Sequence, residues 1–128
     1  MSKLKAPADR TVQRAWRNAV LTIHRNRCLI CGHIRPTEEL ECHHIVKRRR
    51  LFLRHDWRNG VPLCKACHQV AHTKKGEQII ARKHEHYDYL LDHEQVSMKD
   101  YLVQTGSTRD EFVLGEYEDL KRIIKENS

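Results

Sequence analysis

Residues 59–72 read NGVPLCKACHQVAH. Asn59-Gly60 marks a turn. Val61-Pro62-Leu63 reads as a short strand that leads into the pair Cys64-Lys65-Ala66-Cys67. His68 and His72 follow at an i, i+4 spacing, so a helix there presents both rings on one face. The local order is therefore turn, short strand, cysteine knuckle, helix.

A second knuckle lies upstream. Cys28-Leu29-Ile30-Cys31 repeats the C-x2-C spacing, with 32 residues between Cys31 and Cys64. Tetrahedral zinc takes four soft ligands, and two such pairs supply them. Gly32 follows the first pair, where a tight knuckle favours a residue free to adopt unusual backbone angles. A redox C-x2-C would stand alone before a helix. The expectation is thus a structural zinc held by Cys28, Cys31, Cys64 and Cys67. Four such ligands leave no open position, so this ion clamps the fold rather than catalysing. Cys42, the odd cysteine, reads as a small buried side chain.

Between the knuckles lies ECHHIVKRRR, residues 41–50. Residues 41–46 read as a strand. Successive side chains on a strand point to opposite faces, so either the pair is incidental or His43 and His44 have different tasks. If both are to act on one phosphate, the backbone here has to be strongly twisted or at a strand end. Lys47, Arg48, Arg49 and Arg50, with Arg54 and Arg58, form a basic loop suited to backbone phosphates. A solvated charge run is the plainer reading of it. Leu51, Phe52, Leu53 and Trp57 interrupt the charge and should anchor the loop to the core rather than wedge between bases.

The flanks are helical. Residues 8–26 form an amphipathic pattern, with Val12, Trp16, Ala19, Val20 and Ile23 on one stripe. Ile79, Ile80, Tyr87, Leu90 and Leu91 suggest another helix. Thr108 and Glu111 have capping-box spacing before Val113, Tyr117, Leu120 and Ile124. Short linkers are expected near Ser97 and at 104–107. The partition is 1–27, an N-terminal helix packing on the core; 28–75, the core with its zinc; and 76–128, a helical extension. His24, His33, His55, His84, His86 and His93 read as surface residues, with His33 or His55 within reach of DNA.

The 128 residues suit one domain. Charged residues make up 32%, and no apolar run approaches the ~18 residues of a membrane span. MSKLKAPADR lacks the apolar core of a signal peptide. A cytoplasmic protein with reduced cysteines and no membrane partner is the expectation. Residues 1–75 carry 17 basic and 5 acidic residues, net +12, whereas 76–128 carry 7 and 12, net −5. The basic part points to a polyanion, most often nucleic acid.

The order CLICG, LECHHIV, NGVPLCKACH, QVAH resembles the HNH endonuclease family, over roughly a third to two-fifths of the chain. The resemblance implies an α+β fold, a small zinc-stabilised ββα-metal core with flanking α-helices. It implies His44 as general base, His43 and His68 as ligands of a catalytic divalent metal, and His72 as a third, as in colicin-type members. Asn59 would brace the loop and hold the base in place. Many members carry Asp where His43 stands, and an all-nitrogen site favours Mn²⁺, Ni²⁺ or Zn²⁺ over Mg²⁺. The implied reaction is hydrolysis of double-stranded DNA to 5′-phosphate and 3′-hydroxyl ends. Small free-standing members often belong to phages or mobile elements.

The chemistry is coherent by itself. Phosphodiester hydrolysis needs an activated water, in-line attack and neutralised phosphoryl charge, and a neutral imidazole suits the base. One site in a monomer nicks one strand; a double-strand cut takes a homodimer or two nearby nicks. Two rival readings are a non-catalytic zinc module that binds nucleic acid, and an accessory nuclease subunit of a phage DNA-packaging complex, docked to a phage protein partner through the acidic C-terminal helices.

Overall fold

Apolar residues at helical spacing make α1 (Asp9–Ile23) the organising element, with Val12, Ala15, Trp16, Ala19, Val20 and Leu21 buried. The computed structural model describes residues 5–128. The helix begins after Ala8 without a side-chain cap. It stops three residues before the pattern predicts, because Arg25 and Asn26 turn left-handed at φ 54° and 55°. The Asn26 amide steadies this turn by donating to the Arg35 carbonyl and the Thr37 hydroxyl, at 3.2 and 3.0 Å. The first knuckle follows, closed by an antiparallel bridge between Arg27 and Ile34. Gly32 there sits at φ +78°, in the region that favours glycine.

Two strands form the sheet. β1 (Leu40–His44) pairs antiparallel with β2 (Gly60–Cys64), with Leu40 opposite Cys64 and His44 opposite Gly60. Ile45 and Val46, expected in the strand, lie beyond the end of β2 and leave the ladder. Helix α2 (Lys65–Ala71) starts inside the second knuckle, with His72 at its C-terminal cap. The sheet, α2 and the intervening loop form a ββα unit.

Gly60 is required by packing. A Cβ there would lie 2.5 Å from Trp16 Cζ2 and 2.6 Å from Val20 Cγ2, inside the face of α1. That close approach sets α1 directly against the end of the sheet where the doubled histidine stands.

The remaining helices are α3 (Lys74–Lys83), α4 (Tyr87–His93), α5 (Met98–Thr105) and α6 (Arg109–Asn127). The helical pattern around residues 79–91 is split in two by a break at His84–His86. Ser97 caps the start of α5, and Gly106 ends it at φ +68°. The capping box forms: Glu111 N–H donates to Thr108 Oγ1 at 3.1 Å, and Thr108 N–H donates to Glu111 Oε1 at 2.9 Å. Helix α6 then returns to α1, and Leu120 and Ile123 join the α1 residues in one core cluster. A second cluster, including Leu21, Cys28, Leu40, Leu63 and Ile80, surrounds the knuckles. A third, Val46, Leu53 and Leu90, ties the basic loop to α4. Leu53 is fully buried, as an anchor should be, and Leu51, Phe52 and Trp57 are half-buried. Among the described residues no helix is long and apolar enough to cross a membrane.

Candidate active site and metal centres

The knuckles bring Cys28, Cys31, Cys64 and Cys67 together, with one sulfur from each within 4.8 Å of the others. The Cys31 and Cys64 sulfurs are 4.0 Å apart. Zinc–thiolate bonds of about 2.3 Å in a tetrahedron imply sulfur separations of about 3.8 Å, so the set fits zinc. Burial pushes the Cys28 thiol up, but hydrogen bonds from the Cys31 and Cys64 backbone and the Cys31 side chain bring it down to about 7. Burial and the neighbouring sulfurs push Cys67 upward. Four sulfurs this close can all be thiolates only around a cation, which this donor set fits.

The histidine centre sits on the seam between β1 and α2. Ligand nitrogens of His43, His68 and His72 lie within 4.8 Å of one another. His43 Nδ1 faces His68 Nε2 at 3.3 Å. The His43 ring lies edge-on to those of His68 and His72, with centroids 5.1 and 5.3 Å away. Burial, then the charges of His68, His72 and His44, lower the His43 pKa to about 4. A neutral ring with a free lone pair is what a metal ligand requires.

Glu41, which the sequence reading passed over, completes this centre. Its Oε1 is 3.1 Å from His68 Nδ1. When Nδ1–H donates to that carboxylate, Nε2 keeps its lone pair towards His43. A carboxylate behind a ligating histidine fixes the tautomer and makes the ring a better donor. The signal was present: Glu41 and His43 are two apart on one strand face.

His44 turns to the other side. Its ring stacks on the Trp16 indole at 4.0 Å and 8°. Its Nε2 is 3.0 Å from the Arg54 carbonyl oxygen, which accepts only if Nε2 carries the proton. Nδ1 is then the free base. Burial lowers the His44 pKa; the Arg54 carbonyl opposes this, and the Arg48 and Arg54 charges add to it. Trp16 is itself fixed, with its Nε1–H donating to the Asp56 carbonyl at 2.9 Å. Periodicity marked Trp16 as core, which it is, but its ring also serves as the plate beneath His44.

Asn59 is fully buried. Its Oδ1 accepts from Val46 N–H at 2.7 Å, and its Nδ2 donates to the Val46 and Leu53 carbonyls at 3.0 and 3.1 Å. It staples both ends of the basic loop, and the loop delivers the Arg54 carbonyl to His44. Asn59 touches neither histidine ring through these bonds, so its place is positional.

The basic residues divide into two groups. Lys47, Arg49 and Arg50 line a cleft of about 510 Å³ with His43, His44 and His72. Arg48 donates to Asp9 at 2.8 Å, and Arg54 pairs with the same carboxylate at 3.4 Å. Arg58 pairs with Asp56 at 2.9 Å and lies over the Tyr89 ring at 3.6 Å.

Two histidines read as surface residues are buried. His55 is 5% exposed and His84 is 6% exposed. The flanking helices cover them. His55 lines a cavity with Met98, Val113 and Glu116, and burial lowers its pKa to about 4. His84 Nε2–H donates to the Arg58 carbonyl at 2.8 Å. His24 is half-buried beside His84, whereas His33 is exposed as expected. Cys42 packs against two core clusters, and burial pushes its thiol up to about 12.

Two antiparallel strands and a helix, a four-sulfur site at their base and three histidines on the strand–helix seam define a ββα-metal module. Residues 26–74 match the HNH endonuclease family model, and the ββα unit with its four-cysteine cluster lies within that segment. No curated protein and no solved structure matches the chain.

Proposed function

We propose that the chain is a metal-dependent DNA endonuclease that nicks double-stranded DNA and leaves 5′-phosphate and 3′-hydroxyl ends. The observation that carries this is the pairing of two unlike histidine environments at one strand end. His43, His68 and His72 gather their nitrogens. Beside them, the Arg54 carbonyl leaves His44 with a basic Nδ1.

Cys28, Cys31, Cys64 and Cys67 would hold a structural zinc. His43, His68 and His72 would hold the catalytic divalent ion, Mn²⁺, Ni²⁺, Zn²⁺ or Mg²⁺, with the nitrogen set favouring the first three. A divalent ion bound there supplies Lewis-acid neutralisation of the phosphoryl charge and of the departing 3′ oxygen. His44 Nδ1 takes the proton from the attacking water, and its imidazolium then remains hydrogen-bonded to the Arg54 carbonyl. Trp16 prevents the ring from tilting out of line. Lys47, Arg49 and Arg50 hold phosphates over the cleft, giving affinity without sequence choice. Arg48 and Arg54 join them when phosphate replaces Asp9. Asn59 holds the loop, and Glu41 holds His68.

The test is nicking of supercoiled plasmid with each ion and with excess chelator. Metal-dependent nicking is expected, and His44→Ala should lose about 10²–10⁴-fold in rate while zinc content and folding persist. Full activity in His44→Ala would reassign the base. No cleavage with any ion would leave a zinc module that only binds nucleic acid.

A further inference from the structure

The cleft beside the histidines has a second source of side chains. The basic loop contributes Lys47, Arg49 and Arg50; α3 and the two ends of α4 contribute Glu77, Tyr87 and Glu94. At about 510 Å³ it lies in the range of sites that enclose small molecules rather than of flat duplex-binding surfaces.

Its charge is mixed. A cleft built only to follow duplex DNA gains from cations throughout, since both strands carry phosphates. Glu77 and Glu94 repel a second phosphate chain. Carboxylates instead accept hydrogen bonds from base amino groups, as Glu and Asp do from cytosine N4. In a duplex that amino group presents only one hydrogen, in the major groove, whereas an unpaired base turned into a concave cleft offers its whole Watson–Crick edge. Tyr87 is half-buried against the knuckle cluster, which holds its ring firmly enough to stack on a base. Cations for the phosphate, acceptors for the base edge and a ring for its face are together the complement of one nucleotide.

We propose that this cleft is a subsite for an unpaired nucleotide adjoining the scissile phosphate, and that the preferred substrate is duplex DNA interrupted by a bulge, mismatch or single-stranded stretch. The inference rests on the nuclease reading of the same site. An already unpaired base avoids most of the unstacking penalty of a few kcal/mol, so selectivity of about 10–100-fold is expected.

The test compares a perfect duplex with the same sequence carrying a small central bubble. Single-turnover nicking is measured with the wild-type chain, and binding anisotropy with the zinc-loaded His44→Ala chain. The bubble should be nicked and bound about 10–100-fold better. Glu77→Lys/Glu94→Lys should draw the duplex rate up towards the bubble rate. Tyr87→Leu, which keeps an apolar group in the cluster, should lower the bubble-to-duplex ratio. Equal handling of both substrates by the wild-type chain, or an unchanged ratio in both variants, overturns the proposal. Failure to cut either substrate counts against the nuclease reading alone. The binding ratio then decides the subsite: about tenfold or more supports it, and near one overturns it.

Discussion

Replacing Asn59 with alanine isolates the staple from the chemistry. The side chain is fully buried and makes three hydrogen bonds, at 2.7, 3.0 and 3.1 Å. Each is worth about 1 kcal/mol net, and more when a buried partner is left unsatisfied. Asn59→Ala strands the Val46 N–H and carbonyl, while the Leu53 carbonyl keeps its bond from the Asp56 N–H at 3.2 Å, so a loss of about 3 kcal/mol is expected. At about 2.1 cal/mol/K per residue, the 128-residue chain unfolds with an entropy near 0.27 kcal/mol/K, and its Tm should fall by about 11 °C. The assay is thermal denaturation at fixed, saturating zinc, because zinc bound to the folded state raises Tm by mass action. Nicking measured well below the new Tm should also fall, since the loop no longer fixes the Arg54 carbonyl on His44. A Tm within about 3 °C of the wild type, equivalent to less than about 1 kcal/mol, would refute the staple. A large loss of nicking with unchanged Tm would instead place Asn59 at the reacting atoms.

Glu41→Gln keeps an acceptor for His68 but removes the charge; divalent affinity at the histidine centre should drop about 10–100-fold, measured by chelator competition, with four-cysteine zinc content unchanged. Gly60→Ala places a methyl against Trp16 and Val20 and should destabilise by about 1–3 kcal/mol. Trp16 shifts beneath His44 in that variant, so nicking should fall along with Tm; wild-type stability would mean that the close approach is not obligatory. Burial, then the charges of Asp56 and Asp119, raise the Glu116 pKa to about 8. A folded pKa above the unfolded value means that the native state binds more protons between about pH 4.5 and 8, so stability falls as pH rises through that window. Glu116→Gln should flatten this slope in denaturation curves taken from pH 5 to 8.5, and an unaltered slope rejects the assignment.

Most of the core was legible because its signals are local. The knuckles are spaced pairs, His68 and His72 are one helical turn apart, and the capping box is complete within four residues. What escaped the sequence reading is long-range or carried by the backbone. The group that sets the His44 tautomer is the Arg54 carbonyl, and any residue at position 54 would offer a carbonyl. The stripe on α1 showed that Trp16 is buried but not that its ring lies under His44. Asp9 pairs with Arg48 and Arg54 across 39 and 45 positions, which no spacing rule anticipates. His55 and His84 read as exposed because histidine is common at surfaces, and only the packing of the flanking helices shows otherwise.

The doubled histidine at 43 and 44 is a problem of geometry that the sheet solves at its margin. Within a long strand, alternation would send the two rings to opposite faces, with the sheet between them. Here β1 ends at His44, opposite Gly60, the first residue of β2. No further rung of the ladder stands between the rings, and both line one cleft while keeping separate partners. Alternation supplies the separate partners: α2 with its histidines on one side, α1 with Trp16 on the other. The strand end supplies the common opening. Gly60 is where the two requirements meet, because only a residue without a Cβ lets Trp16 come close enough to stack on His44. The glycine opposite the second histidine is therefore as much a part of the candidate site as the histidine itself.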